Sequence, residues 1–126
     1  MENTIYSFEK LEAWKSARTL VIETYQLLAR FPNFEKYALC DQIRRAVVSI
    51  ASNIAEGSGR QSLKEKIHFL EIAYGSLMET YCQLILAADL QYITKEMLVT
   101  IKPKIHLTAK LLNGLRATFK RQLPTS

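Results

Sequence analysis

The chain has 126 residues, 48% hydrophobic and 23% charged, with a formal net charge of +5 and an isoelectric point near 9.3. That length supports one domain, residues 1–126, with a core of its own, and four glycines plus three prolines are too few for a disordered tail or an all-β fold. No apolar run approaches the ~20 residues of a membrane helix, and no apolar leader opens the chain, so a cytoplasmic protein with two free thiols, Cys40 and Cys82, is expected.

The first helix is predicted over 8–30, where Leu11, Trp14, Val21, Tyr25 and Leu28 recur at threes, fours and sevens. Pro32 ends it by pushing Phe31 out of the α region. The second, over 35–57, carries Leu39, Ile43, Val47, Ile50 and Ile54 on one stripe, and Gly57 or Gly59 is expected to supply the left-handed residue that closes it. The third, over 62–90, carries Leu63, Ile67, Leu70, Tyr74, Leu77, Tyr81 and Leu84; Ser62 and Glu65 have the spacing of a capping box. The fourth, over 95–121, follows an N-cap at Thr94 and carries Leu98, Ile101, Ile105, Thr108, Leu112, Leu115 and Phe119. Pro103 points away from that stripe, and the Val99 carbonyl it frees faces water, so a bend and not a break is expected. Four helices with short connections make an all-α, up-down-up-down antiparallel four-helix bundle.

The glycine-rich corner "EGSGRQS" is not a phosphate loop. A dinucleotide fingerprint needs a third glycine where Ser62 stands and a strand before it, and GxxxxGK[ST] is absent. It reads as a corner between two helices that still offers amides and Arg60 to a phosphate. Glu65 and His68 have the E-x-x-H spacing of di-iron bundles, but no second such motif exists and both sit opposite the third stripe. His68 and Cys82 lie about 21 Å apart on one helix, too far to share an ion. No catalytic residue, metal or cofactor is indicated, and a non-enzymatic protein is expected. The aromatics Trp14, Tyr25, Tyr74, Tyr81 and Phe119 are assigned to the core.

Two features exceed what a lone bundle needs. From Ala46 to Ala55 the second helix reads AVVSIASNIA, small or apolar nearly all round, as in a helix buried on more than one side. Gln42, Arg45, Ser49, Asn53 and Glu56 form a polar stripe beside it, of which Gln42, Arg45, Asn53 and Glu56 are expected to be partly buried and mutually bonded, within or between subunits. Phe69, Ile72 and Leu86 lie off the third core stripe, near Gly75 and Ser76. Together these point to a homo-oligomer interface. The second feature is charge. Residues 97–126 hold Lys102, Lys104, Lys110, Arg116, Lys120 and Arg121 and no acid, while the rest balances at 11 basic against 12 acidic residues. Most of the six point away from the core stripe, with Lys104 and Arg116 at its flanks, and such a face can track the phosphates of RNA or DNA.

The segments "FPNFEKYALCDQIRRAVVSIASNIAEGSGRQS", "HFLEIAYGSLMET" and "LLNGLRATFKR" resemble the 23S rRNA intervening-sequence proteins, also called the S23 ribosomal protein family, over about residues 8–121. The family pattern FP.EE.YGL..Q.RRA..SI..NIAEG.GR is met at Phe31, Pro32, Glu35, Tyr37, Leu39, Gln42, Arg44, Arg45, Ala46, Ser49, Ile50, Asn53, Ile54, Ala55, Glu56, Gly57, Gly59 and Arg60. It departs at Ala38, Tyr74 and Gln91, the last replacing the glycine of an L-G-Y turn. The resemblance implies a four-helix bundle assembled as a homopentameric ring. It also implies kinship with the accessory protein of diversity-generating retroelements, which partners a reverse transcriptase and nucleic acid. The expected function is a basic nucleic-acid-binding accessory protein; the alternative is a scaffold that binds a partner protein without touching nucleic acid.

Overall fold

The computed structural model describes residues 4–124. A 3₁₀ turn, Ser7–Lys10, leads into α1 (Glu12–Leu28); a second, Asn33–Glu35, precedes α2 (Leu39–Ser58); α3 (Leu63–Asp89) and α4 (Lys95–Gln122) complete the fold. Among the described residues there is no strand. α2 packs on α1 and α3, and α4 packs on the same two, so α1 and α3 lie on one diagonal and α2 and α4 on the other. This is an antiparallel four-helix bundle. Leu20, Ile43, Val47, Ile50, Ile54, Leu77, Leu84 and Leu112 are fully enclosed, each contributing about 1.5–3 kcal/mol from the apolar area removed from water.

The stripes of α2, α3 and α4 face inward as their spacing predicts. α1 differs. Its buried residues are Ala13, Ser16, Ala17, Leu20, Thr24 and Leu28, a face that shares Leu28 with the predicted stripe but is rotated from Trp14, Val21 and Tyr25. Small side chains let α1 lie close to its neighbours, while Trp14 and Val21 cover the edges of the contact and Tyr25 stays 43% exposed. Of the two polar side chains this face brings inside, Ser16 is paired, its Oγ 2.7 Å from Thr108 Oγ1 on α4, where Thr108 donates to the Lys104 carbonyl; Thr24 Oγ1 is buried without a hydrogen-bond partner among the described residues.

The helix ends also depart in part from expectation. No glycine has a positive φ among the described residues; Gly59 ends α2 in the right-handed region (φ −83°). Gly57 lies inside α2 and is buried, and a Cβ there would stand 2.8 Å from Phe69 Cβ. Glycine is needed at 57 so that α2 and α3 can approach, not for a left-handed turn. The left-handed residue is Gln91 (φ 64°) in the α3–α4 turn. There the Tyr92 N–H donates to the Ala87 carbonyl and the Gln91 N–H to that of Ala88, the paired bonds of a Schellman ending whose glycine position is filled by glutamine.

Ser62 caps α3 by accepting from Glu65 N (3.3 Å), the serine half of the expected box, and Thr94 caps α4 by accepting from Met97 N (3.1 Å). α2 begins at Leu39, later than predicted, because Glu35 supplies its cap from outside: its carboxylate accepts from Leu39 N (3.3 Å) and from the Tyr92 hydroxyl (2.8 Å). The bond to Glu35 raises the Tyr92 hydroxyl above its ordinary pKa. Phe31 and Phe34 pack on the same ring, so the α1–α2 loop is fastened to the α3–α4 turn. α4 runs unbroken through Pro103, whose ring is exposed, as is Val99. Among the described residues no helix is long and apolar enough to cross a membrane.

Candidate functional site

α4 presents the charged face that the sequence marks. Lys102, Lys110, Lys120 and Arg121 are exposed, and Lys104 is half-buried. Among the described residues none of these five takes part in an ion pair. Arg116 behaves differently. Its Nε lies 3.1 Å from Glu71 Oε2 on α3, at an angle that completes no hydrogen bond, so the buried N–H has no hydrogen-bond acceptor. Arg116 is thus partly neutralised by an acid that the C-terminal charge count does not include. Arg60 is engaged too: it meets Glu56 at 3.2 Å, and its guanidinium lies 4.8 Å from the Phe69 ring centre.

The antiparallel course of the helices brings the α2–α3 turn beside the last turns of α4. Lys66, on the first turn of α3, donates to the Ser58 carbonyl (3.2 Å) and sits 5.8 Å from the centre of the Phe119 ring of α4. Lys64, beside it, is exposed. Neither lysine stands out in the sequence, because residues 1–96 balance in charge overall.

Within the subunit the polar stripe of α2 is not one network. Arg45 is 79% exposed and pairs with Asp41 (2.6 Å), and Glu56 pairs with Arg60. Gln42 accepts from Gln83 on α3 (3.2 Å). Asn53 donates to the carbonyl and hydroxyl of Ser49 (2.8 Å each), and Ser49 Oγ reaches Ser76 Oγ across to α3 (2.9 Å). The spacing of one helical turn, which suggested mutual bonding, serves two separate α2–α3 links and two local ion pairs.

Phe69 is drawn inward against Gly57, beneath Arg60, rather than displayed. Ile72 and Leu86 do remain on the outer surface of α3, at 38% and 47% exposure, and Gly75 has open space where a side chain would be. A second apolar surface, unmarked by the sequence stripe, lies between α1 and α2, where Trp14, Val21, Ile22, Val48 and Ala51 line a groove of about 280 Å³. It follows from the turned register of α1.

Among the described residues no three His, Cys, Asp or Glu side chains gather as a metal site. Glu65 and His68 are both exposed. Burial pushes the Cys40 thiol above its ordinary pKa, which disfavours a reactive thiolate.

With this geometry in place, comparison with known proteins settles the lineage. The family described as 23S rRNA-intervening sequence protein matches residues 9–114. The chain belongs to that family. A crystal structure of a protein of unknown function from the S23 ribosomal protein family of Bacteroides thetaiotaomicron is similar at 28% identity and a TM-score of 0.75, over 82% of this chain and 97% of the other. No curated protein matches. The span matched by the intervening-sequence family contains Lys102, Lys104 and Lys110, whereas Arg116, Lys120 and Arg121 lie beyond it.

Proposed function

We propose that this chain is a non-enzymatic, oligomeric bundle of the cytoplasm that holds the backbone of RNA or DNA on the basic face of α4. The observation that carries this reading is the set of five α4 cations that have no ion-pair partner among the described residues, on a segment that has no acid after Glu96. An unpaired cation on a rigid helix is available to a phosphate, and each phosphate it neutralises releases condensed counterions. The family name links its members to rRNA intervening sequences, which makes RNA the first ligand to test.

The exposed apolar surfaces of α1–α2 and α3 are assigned to self-association. They lie on different sides of the bundle, so a contact between them is head-to-tail, the kind that builds a ring when its rotation closes and a filament when it does not. A ring of five, the size the family resemblance implies, carries a formal charge of +25 from five copies of +5. The second reading, a scaffold for a partner protein, rests on these same apolar surfaces.

The discriminating experiment is a Gln substitution of Lys102, Lys110, Lys120 and Arg121 together, assayed by fluorescence anisotropy against labelled RNA and DNA. Weaker binding and a flatter salt dependence at unchanged melting temperature support the nucleic-acid reading. Full binding with the same salt slope overturns it in favour of the scaffold.

A further inference from the structure

The charge of the folded chain is distributed unevenly along the bundle axis. The half nearer the α2–α3 turn comprises residues 4–20, 49–76 and 109–124, and holds ten Lys and Arg against five Asp and Glu. The other half, residues 21–48 and 77–108, holds seven against six. Almost all of the excess is therefore at one end, although the sequence alone places it along the last helix.

The acids at the charged end are mostly engaged. Glu56 and Glu71 face Arg60 and Arg116, Glu12 faces Lys15, and Glu9 accepts from the Tyr6 N–H. Lys64, Lys66, Lys120 and Arg121 are left with Glu65 as the one acid among the described residues of the α2–α3 turn and the last turns of α4 that has no ion-pair partner. Two cations here are held in place by aromatic rings: Arg60 over Phe69 at 4.8 Å and Lys66 over Phe119 at 5.8 Å. A cation already ordered on a ring loses less freedom when a phosphate arrives.

On the nucleic-acid reading above, we infer that RNA or DNA is gripped end-on, by the α2–α3 turn together with the last turns of α4, and not along the length of α4. The ligand chemistry is the phosphodiester backbone. Lys64, Lys66, Lys120 and Arg121 contact phosphates, and Arg60 and Arg116 contribute field more than contact because each faces an acid. Phosphate contacts carry no sequence information directly, so little preference among sequences is expected.

The test compares two triple variants that remove the same charge. The end variant is Lys64→Gln, Lys120→Gln and Arg121→Gln; the shaft variant is Lys95→Gln, Lys102→Gln and Lys104→Gln, all from the other half. Each is titrated with a labelled RNA strand and a labelled DNA duplex after its fold is checked by circular dichroism. The end variant is expected to lose at least about tenfold in affinity and to flatten the salt slope by about 2–3, while the shaft variant loses less than about threefold. Equal losses, or a larger loss in the shaft variant, overturn the end-on grip and leave the basic-face reading standing. No binding by the parent to either probe at about 50 mM salt removes both. Competition by polyglutamate as strong as that by RNA of equal charge also overturns the inference, assigning the end to acidic protein instead. Lys64→Glu alone, at an exposed position, supplies the same comparison if a triple variant fails to fold: reduced affinity supports the end-on grip and parental affinity overturns it.

Discussion

Replacing Gly57 by alanine sets two opposing effects against each other inside one contact. Alanine in a helix interior is worth about 1 kcal/mol over glycine. Against this, the new Cβ would lie 2.8 Å from Phe69 Cβ, an atom fixed to the backbone of α3, with the Lys66 carbonyl oxygen at 3.5 Å. Ordinary contact at about 3.4 Å requires α2 and α3 to separate locally by roughly 0.6 Å. A rigid shift of that size would carry the Ser49–Ser76 bond from 2.9 Å to the limit of useful hydrogen bonding. Overpacking costs about 1–3 kcal/mol, and because the clash is with an atom that no rotamer change can move, the upper part of that range, about 2–3 kcal/mol, applies; the net effect is a loss of about 1–2 kcal/mol and a fall of roughly 3–10 °C in melting temperature. The assay is thermal unfolding by circular dichroism at fixed protein concentration, because assembly makes melting concentration-dependent. Gly114→Ala is the control: it lies in α4 with nothing within 4 Å of the added Cβ, and should stabilise by up to about 1 kcal/mol. A Gly57→Ala protein that melts at or above the parent refutes the close-approach account.

Gln91→Gly should stabilise the chain by about 1 kcal/mol, since it removes the left-handed strain of a residue at φ 64°, measured by urea unfolding. Ser49→Ala, which leaves Asn53 and Ser76 short of a partner at the α2–α3 contact, should cost about 1–2 kcal/mol, while Arg45→Ala, 79% exposed, should change subunit stability by less than about 0.5 kcal/mol. Gly75→Ala meets nothing within 4 Å in the isolated subunit and should stabilise its fold. If α3 faces another copy, the same change should reduce the fraction of protein found by light scattering at a multiple of 14.5 kDa.

The four helices are legible because three of them bury large aliphatic residues at helical spacing, and a hydropathy stripe records burial of that kind. α1 is less legible for the converse reason. Apart from Leu20 and Leu28 its inward face is alanine, serine and threonine, which carry little hydropathy signal, while Trp14, Val21 and Tyr25 at the edge supply a stronger and misleading one. Gly57 reads locally as a helix stop, and only the proximity of Phe69 shows it to be a packing position. The Glu35–Tyr92 bond and the Arg116–Glu71 contact join residues far apart in sequence, so no local pattern announces them. Counting charge along the chain finds the basic segment. It cannot find that Lys64 and Lys66 share its end of the bundle, because that follows from the antiparallel course of α3 and α4.

The central claim, that cations on α4 and at its end hold phosphates, is tested most directly by the salt dependence of RNA and DNA binding to the intact protein. The account predicts a linear fall of log affinity with log salt concentration, at about 0.7–0.9 for each phosphate contacted, with little difference between sequences of equal length. Affinity that does not change with salt, or no binding to either nucleic acid at about 50 mM salt, would contradict it.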